Sequence, residues 1–384
     1  MPTQTSTPSQ FTAWATAPLD IAAAVTTGWT GYLRSAMRRG AGPATVLADT
    51  AAWMQAVGGR TAPDWSTPHR VARTWPQARL LDFSVGTDAV PTLVLPPQAG
   101  HASSIVDYSP EQSQILTARS AGLDSLYALD WLPATEATAD STIEDYLAVL
   151  DDAVALLGGR VNLIGDCQGG WLAAIYAALR PDTVHSLSVG GAPIDFHAGR
   201  SAIREWMTVT GAGDPMLPYR TMVSLGGGRY RGANQVLGFK MLEPAGELTR
   251  LTELWANIAD PEYVARFNEF TDWFEWTQDI AGPFYLWIIE NLFVENRLIA
   301  GTLTVGGERV DLGRITAPLL ILAGTRDHIT PPEQAWALDH YTSTPPEQVR
   351  RELVDAGHLG LFMGHTALGK HWLPGLRDVA QLPR

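Results

Sequence analysis

Residues 162–181 read NLIGDCQGGWLAAIYAALRP. An apolar run leads into GDCQGG, and a helix-forming run leads out. The turn between them holds Cys167, the only cysteine among 384 residues. Gly165, Gly169 and Gly170 surround it. Small residues are what a sharp strand-to-helix turn requires, because strand and helix approach closely there. The central residue of such a turn takes strained dihedrals. The helix that follows aims its N-terminus at that residue, which favours a thiolate or a developing oxyanion. A lone cysteine is most often a small buried hydrophobe, so its surroundings have to decide between the two readings.

Strand and helix patterns alternate on both sides of the turn. RLLDFSV (79–85), PTLVLPP (91–97), DSLYALDW (124–131), RVNLIG (160–165) and TVHSLSVGG (183–191) read as strands. Helical stretches fall at 109–121, at 141–159 with a Ser141–Glu144 start, and at 170–179. The alternation stops near Asp195 and resumes with strand APLLILAG (317–324), a helix from Pro332, strand VRRELVD (349–355) and a terminal helix ending near Val379. Such alternation implies a mostly parallel, doubly wound sheet with helices on both faces. With a nucleophile turn in its middle, the pattern predicts the α/β-hydrolase fold, with a helical cap inserted between the sixth and seventh strands. The expected organisation is a loose tail at 1–18 and N-terminal helices at 19–78. The core then comprises 79–195 and 301–384, and the cap 196–300. The cap contains a Gly-rich break, SLGGGRYRG (224–232), and tryptophans 255, 273, 276 and 287, which either line an apolar cavity or pack a core.

Composition narrows the function. A net charge of −13 argues against a nucleic-acid binder, which needs a basic face, and against tight adsorption to anionic membranes. No apolar run approaches the roughly 20 residues that span a bilayer. The start of the chain lacks the charged and apolar regions of a signal peptide, and a single cysteine fits a reducing compartment, so the expected location is the cytoplasm.

In this fold the nucleophile is followed by the acid and then by the histidine. LLILAGTRDHITPP places Asp327 just past one strand, and RRELVDAGHLGLFMG places His358 just past the next. Cys167, Asp327 and His358 are the expected triad, with His328 and Asp355 as the nearest decoys. His358 would deprotonate the thiol and Asp327 would orient the imidazole. The oxyanion donors are expected to be the backbone N–H groups of Gln168 and of Gln98 and Ala99 in the loop after TLVLPP. His101, Trp171 and Trp276 are candidates for substrate contact, and Arg200, Arg204, Arg229 and Arg231 for the phosphates of coenzyme A. Asp166 is the odd residue, because a carboxylate there would oppose thiolate formation unless it turns away to cap or pair, which is the expectation. No metal or cofactor is expected.

The blocks LVLPPQAGHASSIVDYSPEQSQI, GDCQGGW, GAPIDFHAG, FEWTQDIAGP, LFVENRLIAGTLTVGGERVDL, RDHITPP and AGHLGLF resemble the polyhydroxyalkanoate (PHA) synthases, cysteine enzymes of the α/β-hydrolase fold. The similarity runs from about residue 75 to 365. It implies Cys167 as nucleophile, Asp327 as triad acid and His358 as base. Synthases generally carry an aromatic residue before the cysteine and an aliphatic one after it. Here Asp166 and Gln168 take those places, which is closer to a synthase-related group of unassigned activity. The resemblance implies an acyltransferase acting on 3-hydroxyacyl-CoA through an acyl-cysteine. The alternatives are a cysteine hydrolase of PHA oligomers, esters or thioesters, and a non-catalytic granule-associated scaffold. The partners it implies are an acyl-CoA or hydroxyacyl ester, a second synthase subunit or a homodimer, and a PHA granule.

Overall fold

A computed structural model of the chain describes residues 10–58, 60–88, 90–210, 213–242 and 244–383. Its centre is an eight-stranded sheet. The strands are β1 (Arg70–Thr74), β2 (Ala78–Asp82), β3 (Thr92–Leu95), β4 (Leu126–Trp131), β5 (Val161–Asp166), β6 (Val184–Gly190), β7 (Leu319–Gly324) and β8 (Val349–Val354). They lie in the order β1-β2-β4-β3-β5-β6-β7-β8. The β1–β2 and β2–β4 pairs are antiparallel and every later pair is parallel. This is the α/β-hydrolase fold, and it places the turn after β5 at the middle of the sheet.

β5, β6 and β7 are buried at every residue, as strands covered on both faces must be. The helix Gln168–Leu179 is buried from Gly169 onward, which explains its apolar composition on all sides. The helix Ile143–Leu156 starts with a reciprocal bond in which the Thr142 N–H donates to Asp145, so the cap box closes one residue later than the Ser141–Glu144 reading. β1 lies inside the stretch expected to be helical. Its residues are exposed throughout and pair only with β2, so it carries none of the apolar signal of the inner strands.

The chain forms two compact units. One comprises Asp64–Gly232 and Gln278–Arg384 and contains the sheet. The other joins the residues up to Pro63 with Ala233–Thr277. The expected 196–300 cap is thus divided, and its middle stretch, 233–277, belongs with the N-terminal helices. In that helical unit Gly28 and Gly31 of the helix Gln10–Arg39 let it approach the helix Pro244–Ala256 closely. A Cβ on Gly28 would lie 2.6 Å from that of Thr252. Tyr32 stacks on Trp255 at 4.1 Å, and its hydroxyl donates to Asp49, which also pairs with Arg39. Residues 10–18 therefore open a helix rather than continue a tail, while residues 1–9 lie outside the described residues.

In the sheet unit, Arg229–Tyr230 of the Gly-rich stretch pair with Ile280–Ala281, and Tyr230 stacks on Tyr285 at 3.7 Å. That stretch is the expected break: it ends the helix Leu217–Leu225 at Gly226, in a tight turn. Among the described residues no helix is long and apolar enough to cross a membrane.

The elbow depends on its glycines. A Cβ on Gly169 would lie 1.9 Å from the Leu95 carbonyl oxygen at the end of β3, and the next nearest atoms, Leu95 C and Pro96 O, are backbone as well. Gly169→Ala should cost about 3 kcal/mol or more of stability, at or above the upper end of ordinary overpacking. Gly238→Ala, a helical site with nothing within 4 Å of the new methyl, should be neutral or stabilising by up to about 1 kcal/mol. Urea unfolding of the two variants checks the contrast.

Candidate active site

Cys167 has φ 50° and ψ −114°, one of two positive-φ non-glycine residues among those described. The conformation is held by neighbours rather than by preference. The Cys167 N–H donates to the Gly190 carbonyl at 2.8 Å, and its own carbonyl accepts from the Gly170 N–H at 3.0 Å. Gly165 and Gly170 make the crossing possible. A Cβ on Gly165 would meet the Gly169 carbonyl oxygen at 2.6 Å, and one on Gly170 would meet the Ala192 methyl at 2.3 Å.

The acid loop after β7 is built to hold one carboxylate. Asp327 Oδ1 accepts from the N–H groups of Ile329 and Thr330 at 2.9 and 2.8 Å. This leaves Oδ2 for His358, whose Nδ1 lies 2.7 Å away. The acid and histidine loops are stitched together: the Thr325 N–H donates to the Val354 carbonyl and the Arg326 N–H to that of Ala356. Arg326 also pairs with Asp355, so that decoy faces outward, and His328 contributes its carbonyl to the Ala202 N–H. The imidazole of His358 stands edge-on to Phe362 and passes Gly191, where a Cβ would come within 3.3 Å of the ring.

On its other side His358 feels the Cys167 side chain electrostatically. Burial opposes a charge on this imidazole. Asp327, through its charge and its hydrogen bond, and Cys167 together outweigh it, so the His358 pKa is raised well above its ordinary value. The three side chains read from the sequence are therefore brought together, with the imidazole between a carboxylate and a thiol.

The loop after β3 is fixed at several points. The Trp131 indole N–H donates to the Pro96 carbonyl at 2.9 Å, and Ser103 Oγ accepts from the Trp131 N–H at 2.9 Å. The Gln278 N–H donates to the Gly100 carbonyl at 2.8 Å. With its amide turned to donate, the Gln278 side chain also reaches the carbonyls of His101 and Trp131, each at 3.2 Å. Gln278 is thus a clamp on the loop expected to carry the second oxyanion donor, and nothing in the sequence alone marks it. Its only local signal is its place in the FEWTQDIAGP block. The Gln98 side chain is buried with its Oε1 unpaired, and burial pushes the Tyr146 phenol up to about 12. Gln168 is the first residue of its helix, a position whose N–H has no partner within the helix.

The candidate substrate contacts fare differently. Trp171 is only 1% exposed and packs against Phe284 and Trp287. It is a core residue and offers no face to a substrate, a correction that follows from the burial of its whole helix. His101 is buried in the β3 loop. Trp276 is exposed and belongs to the helical unit, where Trp273 is buried and Trp255 packs on Tyr32. All four arginines considered for phosphate binding have internal partners: Glu205 for Arg200, the His197 carbonyl for Arg204, and Asp279 for Arg229 and Arg231.

A family model described as "Protein of unknown function (DUF3141)" matches residues 68–371. The chain is similar to the poly(3-hydroxyalkanoate) polymerase subunit PhaC of Haloferax mediterranei, at 26% identity over 81% of this chain and 63% of that protein. It is similar to the subunit of the same name from Allochromatium vinosum, at 28% identity over 68% of this chain and 73% of that protein. An uncharacterized protein in the ackA 5′ region of Rhizobium meliloti is 31% identical over 71% of this chain and 39% of its own length. The match thus covers less than two thirds of the Haloferax and Rhizobium proteins.

Because Cys167 is the only thiol, its alkylation by iodoacetamide reports the pair directly. In His358→Ala alkylation at pH 7 should slow at least about fivefold relative to the wild type, because the sulfur loses the imidazole that would activate it. Mass spectrometry against time gives the two rates, and equal rates would count against the pairing.

Proposed function

The chain belongs to the DUF3141 family, and we propose that it is an acyltransferase that acts on 3-hydroxyacyl-CoA through a covalent acyl-cysteine. The observation that carries this reading is His358 held between Cys167 and Asp327, with the cysteine at the strained elbow. The names of the two polymerase-subunit relatives support the substrate class.

The proposed reaction runs in two steps. The Cys167 thiolate attacks the thioester carbonyl, and the negative charge on the carbonyl oxygen falls near the N-terminus of the helix Gln168–Leu179. The N–H of Gln168 and a backbone N–H of the Gln98–Ala99 stretch are the proposed donors. The tetrahedral intermediate expels the sulfur of coenzyme A, which takes the proton of His358 and leaves as a thiol. Thioester is exchanged for thioester, so the acyl-enzyme forms at little cost. His358, now neutral, then takes the proton of the 3-hydroxyl of a second hydroxyacyl unit as that oxygen attacks the acyl-cysteine. Cys167 departs as a thiolate and an oxygen ester is formed. Asp327 keeps Nδ1 protonated throughout, so that Nε2 faces the reaction.

Water can replace the hydroxyl in the second step, which makes the same site a hydrolase. The two outcomes differ only in which oxygen reaches the acyl carbon.

The test is to incubate the pure protein with 3-hydroxybutyryl-CoA and to follow free coenzyme A and ester-linked product separately. The reading predicts coenzyme A release together with dimeric or longer esters, both lost in Cys167→Ala and His358→Ala to a similar degree because the two act as one unit. Coenzyme A release with only free hydroxybutyrate would make the protein a hydrolase. Undiminished release in Cys167→Ala would end the acyl-cysteine reading.

A further inference from the structure

Asp166, the residue before the nucleophile, is fully buried. Its Oδ1 accepts from Gln114 Nε2 at 3.3 Å. The two remaining atoms of the same pair, Asp166 Oδ2 and Gln114 Oε1, are both buried and have no hydrogen-bond partner. Buried polar atoms are rarely left so. Here two acceptors are orphaned together, on side chains already joined by their other atoms. One hydrogen atom shared between them would resolve both.

We propose that Asp166 is carried as the neutral acid, its Oδ2–H donating to Gln114 Oε1 while Gln114 Nε2 donates to Oδ1, a two-bond acid–amide pair. Asp166 is then a positioning residue that holds the end of β5 beneath the nucleophile without placing a second negative charge there. The geometry around it agrees. A Cβ on Gly190 would lie 2.7 Å from Oδ1 and 2.7 Å from the Trp372 ring, so the carboxyl is walled by β6 backbone and an indole. The groups that face it are Gln114 from the helix Gln114–Ser120, Gly190 from β6 and Trp372; the one charge it feels is that of His358, and Cys167 follows it in the chain. No lysine or arginine reaches it among the described residues. Burial pushes its pKa up to about 8, with the Gln114 hydrogen bond and the His358 charge opposing only in part.

The consequence for the thiol rests on the acyl-cysteine reading. A neutral acid leaves His358 with the thiolate and Asp327 as its only counter-charges. The protonation state itself does not rest on that reading, and neither do the following measurements, which use no substrate.

The infrared difference between the wild type and Asp166→Asn at pH 7 should show the carbonyl band of a protonated carboxylic acid in the wild type only. In Gln114→Leu that band should move to higher frequency, because the acid loses its amide partner. Thermal stability gives an independent readout. A carboxyl whose pKa is raised by folding makes the native state bind more protons than the unfolded chain from about pH 4 to about pH 8, so wild-type stability should fall with rising pH across that window. Asn makes the same two hydrogen bonds without a proton to lose. The wild-type unfolding constant relative to Asp166→Asn should therefore rise by up to about tenfold per pH unit across the window and level off above it. Absence of the acid band, parallel pH–stability curves, or an Asp166→Asn protein that cannot fold would each overturn the pair.

Discussion

The close crossing of β5 and the helix that follows it is the constraint on which the rest of the site depends. Cys167 occupies dihedrals that a side-chain-bearing residue adopts only under compulsion. The compulsion comes from three glycines that let the Leu95 carbonyl, the Ala192 methyl and the β5 backbone converge on one turn. That convergence does more than expose a sulfur. It draws the end of β3 against the first turn of the helix. It also ties the Cys167 N–H to the end of β6, from which Gly191 opens room for the imidazole.

Charge is arranged around one imidazole. Asp327 is committed by two backbone N–H groups, so it cannot turn away from His358. A buried imidazole would ordinarily lose its proton, and here a carboxylate on one side and a thiol on the other reverse that tendency. A second carboxylate one residue from the sulfur would compete for the same positive charge. The Gln114 partnership removes that competition while keeping a polar residue in a place where synthases generally carry an aromatic one. The proposed site is thus compatible with acyl transfer despite its unusual neighbour.

What could be read in the sequence was what is local or ordered along the chain. The elbow, its glycines, and Asp327 and His358 after successive strands are all short-range signals, and the sheet's inner strands announce themselves by continuous burial. β1 was hidden because an exposed edge strand lacks that pattern. Trp171, a candidate for substrate contact, lies on a helix buried on every side and packs as core. Gln114 and Gln278 act across 52 and 178 positions, from 114 to 166 and from 278 back to 100, and a lone glutamine carries no sign of such a partner. The division of 196–300 between two units was equally hidden, since it depends on the small-residue face of the first helix meeting Thr252 and Ala256.

The most direct measurement is intact-protein mass spectrometry after rapid mixing with 3-hydroxybutyryl-CoA, followed by peptide mapping. A chain with one cysteine gives one answer. An adduct of one hydroxybutyryl group or a short run of them, on the peptide containing Cys167 and absent in Cys167→Ala, is the predicted result. Turnover of the thioester with no adduct at any time, or an adduct on another residue, would contradict it.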